Sequence, residues 1–236
     1  MYKIILLSFA IFACSVSTHA EIRIEKYSSV ARDNSGNTAY EEKHEVTFND
    51  RQVQRASTKY LDSKGQVFGE MTSNFTKMIT IPDYDFKDLR TGTSHGIKIN
   101  GEKITLWNKT SDGQLSELDF FKNKFAEDTL IVGCQGLHYY LIDNLERVKE
   151  KKKVSIAYFI PGKLDYYKFT LRLDREDDKY IYLKLSIDNF FLKLFTSALD
   201  LKYNKSDRRL VQFSGLSNIT DDKDELQNVV INYKYN

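Results

Sequence analysis

The stretch "GIKINGEKITLWNKT", residues 96–110, decides how the rest of the chain is read. Ile97 and Ile99 alternate with Lys98 and Asn100, and Ile104 and Leu106 alternate with Thr105 and Trp107. A period of two is the mark of a strand with one buried face. Between the runs stands Asn100-Gly101, a pair suited to the positive φ of a two-residue hairpin turn. These residues predict a tight antiparallel hairpin.

The same grammar extends in both directions. Upstream, "AYEEKHEVTF" (39–48) spaces Tyr40, Val46 and Phe48 by even numbers. The turns "NDRQ" and "DSKG" then separate "VQRASTKYL" and "QVFGEMTSNFT". Downstream, "SELDFF", "VSIAYFI", "DYYKFTLRLDRE", "KYIYLKLSI", "LDLKYN", "RLVQFSGLSNI" and "NVVINYKY" continue the series. One segment changes period. In "GLHYYLIDNLERVKE", Leu137, Leu141, Leu145 and Val148 recur at helical spacing, which predicts one main helix over about 135–150. In "DNFFLKLFTSALDLKY" (188–203), Phe191, Leu194, Phe195 and Ala198 share a helical face before Leu199, Leu201 and Tyr203 alternate. A short helical turn near 190–197 feeding a strand follows.

The expected class is therefore α+β, mostly β: a single large curved antiparallel sheet, an incomplete barrel of about ten strands around one helix. No repeat and no Pro/Gly/Ser-rich linker divides the chain, so residues 21–236 are read as one β-rich domain.

Composition excludes other classes. With 15 Tyr, 15 Phe and only 2 Pro, disorder and low complexity are ruled out. Lys and Arg number 35 against 33 Asp and Glu, so no net field draws the chain to nucleic acid. "MYKIILLSFAIFACSVSTHA" reads as a signal peptide over 1–20, with Lys3, an apolar run and a small-x-small end at Thr18-His19-Ala20. The run is too short to span a bilayer as a helix. "IFAC" (11–14) offers a competing reading, a lipoprotein anchored through Cys14. Cleavage after Ala20 leaves Cys134 alone, with no intrachain disulfide, and its apolar neighbours favour a buried thiol.

Patterns that carry chemistry are sparse. "GTSHG" (92–96) matches the nucleophile elbow of serine hydrolases, with Ser94 as attacking group. An elbow needs a buried strand before it and a helix after it, whereas the polar "DYDFKDLRT" precedes and the hairpin follows. His44, His95 and His138 have no second His or Cys at ligand spacing, and "DDKDE" (221–225) lacks the alternating ligands of a calcium loop, so neither metal nor cofactor is expected. Glu41-Glu42 and Asp177-Asp178 are adjacent pairs on strands, which face opposite ways and make no acid/base couple. Lys149 and Lys151 to Lys153 complement a helix dipole, or would support peripheral membrane association.

"PGKLDYYKFTLRL" (161–173) and "DNFFLKLFTSALDLKYNKSDRRLVQFSGLSNI" (188–219) resemble an uncharacterised family of bacterial exported proteins. Asn189, Tyr203, Arg209, Leu210, Gly215, Ser217, Asn218 and Ile219 fall on that family's pattern, while Phe190 stands where a Trp is common. Its order of sheet and helix is similar to the lipoprotein carriers LolA and LolB, whose incomplete barrels hold acyl chains. That likeness implies a periplasmic, non-catalytic protein with a lipid or acyl-chain ligand in the curve of the sheet. Leu141, Leu145, Phe190, Phe191, Leu194 and Phe195 are the expected ligand-binding residues. The same residues also suit a filled core, and a serine hydrolase using Ser94 and a lipid-anchored structural protein are the alternatives.

Overall fold

The computed structural model describes residues 21–188, 198–221, 223 and 225–235. The signal segment 1–20 and the helical turn expected near 190–197 lie outside the described residues.

The first eight strands are β1 (Ile22–Arg32), β2 (Thr38–Asn49), β3 (Gln52–Leu61), β4 (Val67–Asn74), β5 (Asp83–Asp88), β6 (Ser94–Asn100), β7 (Lys103–Lys109) and β8 (Leu115–Phe121). Then come β9 (Leu130–Gly133), the helix α1 (Gly136–Glu150) and β10 (Val154–Ile160). β11 (Asp165–Glu176), β12 (Tyr180–Ile187), β13 (Leu199–Asn204), β14 (Leu210–Thr220) and β15 (Leu226–Tyr235) complete the chain. The fifteen strands of the described residues form one sheet, in the order β8-β7-β6-β5-β4-β3-β2-β1-β15-β14-β13-β12-β11-β10-β9. Neighbours are antiparallel except β9 and β10, which run parallel.

The expected count of about ten strands is too low. β5 was set aside as polar, yet it lies between β4 and β6, with Tyr84, Phe86 and Asp88 inward and Asp85 and Lys87 outward. β1 hides its alternation, because Ile22 and Ile24 stay exposed and only Ser29 and Ala31 are fully buried. β9 has four residues, too short to show a period. The deciding hairpin forms one residue later than predicted. Asn100 still pairs with Lys103, and Gly101 takes the first turn position at φ +57°. The turns after β1 and β3 share another device. Asp33 Oδ1 accepts from the backbone N–H of Ser35 and Asn37, and Asp62 Oδ1 from that of Lys64 and Gln66.

Topology forces the sheet to curl. Laid flat, fifteen strands would put β8 and β9 roughly 65–70 Å apart at the usual strand spacing. The link 122–129 that joins those two strands reaches no more than about 30 Å. Side chains close the seam. Phe120 of β8 and Phe125 of the link meet Phe159 of β10 and Tyr166 of β11, with ring centroids 5.1–5.7 Å apart. Asn108 of β7 donates to Gly162 O at 3.0 Å.

α1 lies inside the curve. Leu137, Leu141, Leu145 and Val148 pack on Leu171, Leu183 and Leu201 of the β10–β14 wall. Tyr139 reaches the opposite wall at Val46, Val53 and Ala56, where Phe75 meets its ring edge-on. The helix starts tight against the chain. A Cβ on Gly136 would lie 1.9 Å from Thr80 O, so only glycine fits there. α1 is kinked at Asn144 (φ −121°, ψ 16°), whose amide donates to Tyr140 O at 2.9 Å. Among the described residues no helix is long and apolar enough to cross a membrane.

Candidate functional site

The inside of the sheet is not uniformly apolar. On β2 the inward positions are Tyr40, Glu42, His44 and Val46, with Glu41, Lys43 and Glu45 outward. Register places Glu42 beside Ser29 and Tyr60, and His44 beside Tyr27 and Thr58. Their side chains connect. Ser29 Oγ donates to Glu42 Oε2, which lies 3.1 Å from His44 Nε2. His44 Nδ1 lies 2.9 Å from Thr58 Oγ1. From the N-cap of α1, Gln135 Nε2 donates to the same Thr58 hydroxyl at 3.3 Å. The Tyr27 ring stacks on His44 at 4.4 Å. Ser29, Glu42, His44 and Thr58 are all buried.

Thr58, His44 and Glu42 form the chain of contacts that a nucleophile, a base and an orienting acid would need. Access decides against that use. Thr58 is 1% exposed, so no substrate carbonyl reaches its oxygen. The network instead satisfies a buried carboxylate and ties α1 to the β2–β3 wall. The Oε1 of Gln135 and Oγ1 of Thr80 are buried without a protein partner.

A second knot lies at the β9–α1 junction. Cys134 is left-handed (φ 49°), and its Sγ lies 3.7 Å from Ser73 Oγ and 3.4 Å from Met71 Sδ. Tyr158 OH donates to Cys134 O at 2.8 Å. Burial pushes the Cys134 thiol up to about 12, which makes it a poor nucleophile at neutral pH. Two histidines are held neutral by burial, each at about 4. His95 of β6 bonds Tyr84 OH at 2.9 Å, and His138 of α1 bonds Tyr203 OH at 3.1 Å.

Four partly buried aromatic side chains line the two main apolar clusters. Phe213 and Tyr233 pack against both clusters, and Tyr158 and Phe169 against the helix-side one. All four keep some accessible surface. For Tyr158 and Tyr233 burial is nevertheless the main cause of a raised phenol pKa. A separate crevice of ≈ 280 Å³, its open mouth included, lies among Phe48, Val53, Ile79, Tyr139 and Ile142.

Leu141 and Leu145 are 0% and 1% exposed and pack on the β10–β14 wall. Phe190, Phe191, Leu194 and Phe195 lie outside the described residues. Ser94 opens β6 inside a hairpin and pairs with Lys87 and Lys109, with no helix after it. Among the described residues no group of three or more His, Cys, Asp or Glu side chains is placed to hold a metal. Sequence reasoning missed Glu42 and His44. The available signal was parity, since 40, 42, 44 and 46 alternate together and Tyr40 and Val46 are plainly apolar.

The fold defines a rolled, barrel-like antiparallel sheet with a helix inside its curve. No family model matches the chain, and no curated protein matches it. Among solved structures it is similar to a beta-barrel-like protein of domain of unknown function DUF1849 from Brucella abortus. The identity is 9%, over 92% of this chain and 96% of that one, with a TM-score of 0.41.

Proposed function

We propose that this is an exported, non-catalytic envelope protein that binds a hydrophobic or lipid-like ligand inside its curved sheet. The observation that carries the reading is the set of four partly buried aromatics. Phe213 and Tyr233, packed against both clusters, and Tyr158 and Phe169, packed against the helix-side one, are not fully covered. Buried aromatic surface with a few polar tips suits an alkyl chain carrying a small polar group. Leu141 and Leu145 form the floor beneath such a ligand.

The reading is tested by native mass spectrometry and solvent extraction of protein purified without detergent. Retained apolar molecules, and displacement of an apolar fluorescent probe by fatty acids, are expected. Protein that is empty and indifferent to the probe would overturn the proposal. Export is tested separately by the mass of the processed chain. A mature start at Glu21 is expected, whereas an acylated Cys14 supports the anchored alternative.

A further inference from the structure

We propose that residues 135–143, the N-cap and first half of α1, are an acid-sensitive plug that swings out of the sheet's interior to uncover the ligand chamber. The idea rests on the ligand reading for its purpose, but its geometry stands apart. Both ends of the segment are irregular. Cys134 precedes it in the left-handed region, and the kink at Asn144 follows it. Such points absorb backbone rotation while the elements on either side stay intact.

Three side-chain hydrogen bonds tie this half-helix to the walls, one of them between Tyr139 and Tyr27 of β1. Gln135 donates to Thr58 on β3, and His138 meets Tyr203 on β13 with the rings stacked at 5.9 Å. The backbone adds one further tie, Arg208 donating to Ile142 O at 3.1 Å. The walls themselves are stitched by continuous ladders. The plug is held by these ties and by the apolar faces of Leu137, Tyr139 and Leu141, with no main-chain ladder to either wall.

Proton uptake supplies the trigger. His138 is faced by the Tyr203 hydroxyl from β13, by His44 with its partner Glu42 from β2, and by Tyr139 beside it on α1. None of these places a carboxylate in contact with its ring. Closed, the ring is kept neutral at about 4, mainly by burial and secondarily by His44. Swung out, it returns to the ordinary histidine value of about 6.5. At pH 4.5 proton uptake then favours the open form about sixtyfold over its share at neutral pH.

Cys134 is a built-in reporter, because its half-buried thiol lies at the root of the plug against Ser73 and Met71. Its labelling by 4,4′-dithiodipyridine should be followed by peptide mapping of the full chain, relative to the same peptide unfolded. Protection is expected to fall at least about tenfold from pH 7 to pH 4.5 while far-ultraviolet circular dichroism keeps its sheet signal. His138→Phe keeps the ring packing without the proton, and should hold protection constant between those pH values. Tyr203→Phe removes the tie and should raise labelling already at pH 7. Protection unchanged with pH, an equal fall in His138→Phe, or a fall that coincides with loss of the sheet signal would each overturn the plug. These readouts need no ligand, so an empty protein with a moving plug sinks only the ligand reading.

Discussion

The wall and the helix inside it are held by different physics. The wall is a ladder of main-chain hydrogen bonds fourteen pairings wide, closed at its seam by four aromatic rings. α1 has its own internal hydrogen bonds but meets the wall through apolar contacts and a few polar ties. Losing one rung of a ladder leaves its neighbours in place, whereas losing one packed face frees a whole helix. The difference teaches where the molecule can change shape without coming apart.

The largest effect should come from the seam. Phe159→Ala removes a ring that touches Phe120, Phe125 and Tyr166 and should cost about 3–5 kcal/mol in urea unfolding. A loss below about 1 kcal/mol would mean that the rings do not close the sheet. Leu141→Ala, at a fully buried site on the helix, should cost about 2–5 kcal/mol. Its extra hydrogen exchange should be concentrated in 136–150; loosening spread equally over β2 and β3 would erase the distinction between wall and plug.

Acid sharpens the comparison, since each part holds a half-buried histidine that its surroundings keep neutral, His95 in the wall and His138 in the helix. In both the folded value is depressed to about 4, so the unfolded chain takes up protons first as pH falls. The stability is complete above about pH 6.5 and is lost between there and about pH 4, up to ~3 kcal/mol per ring. Thermal unfolding against pH should show that slope, and His95→Phe should flatten part of it. A slope unchanged in that variant would remove His95 from the account.

Thr58→Val strips His44 Nδ1 and Gln135 Nε2 of their shared partner and should cost about 1–3 kcal/mol. The smallest effect belongs to the sheet's edge. Leu115→Ser, on the outer strand β8 and 55% exposed, should change stability by less than about 0.5 kcal/mol.

The wall was more legible in the sequence than what it encloses. "DSKG" marks a turn because its Asp side chain caps the loop locally, and local chemistry survives in a sequence read alone. β5 was misread because its two outward charges outweighed Tyr84 and Phe86 to the eye, although their alternation was present. The bounds of α1 were legible from its apolar stripe, but its place inside the sheet was not. That place depends on Tyr139 and Gln135 meeting β2 and β3, residues about eighty positions earlier. The Glu42–His44 pair was hidden for a similar reason. Its partners Ser29, Thr58 and Gln135 come from three other elements, and only register brings them together.

Native-state hydrogen exchange at neutral pH, resolved along the chain over sub-denaturing urea, tests the separation of wall and helix most directly. Residues 135–143 are expected to open at a lower free energy than β2, β3, β14 and β15, with those strands still protected. Exchange of the helix and the central strands as one unit, at one free energy and one urea dependence, would contradict the account.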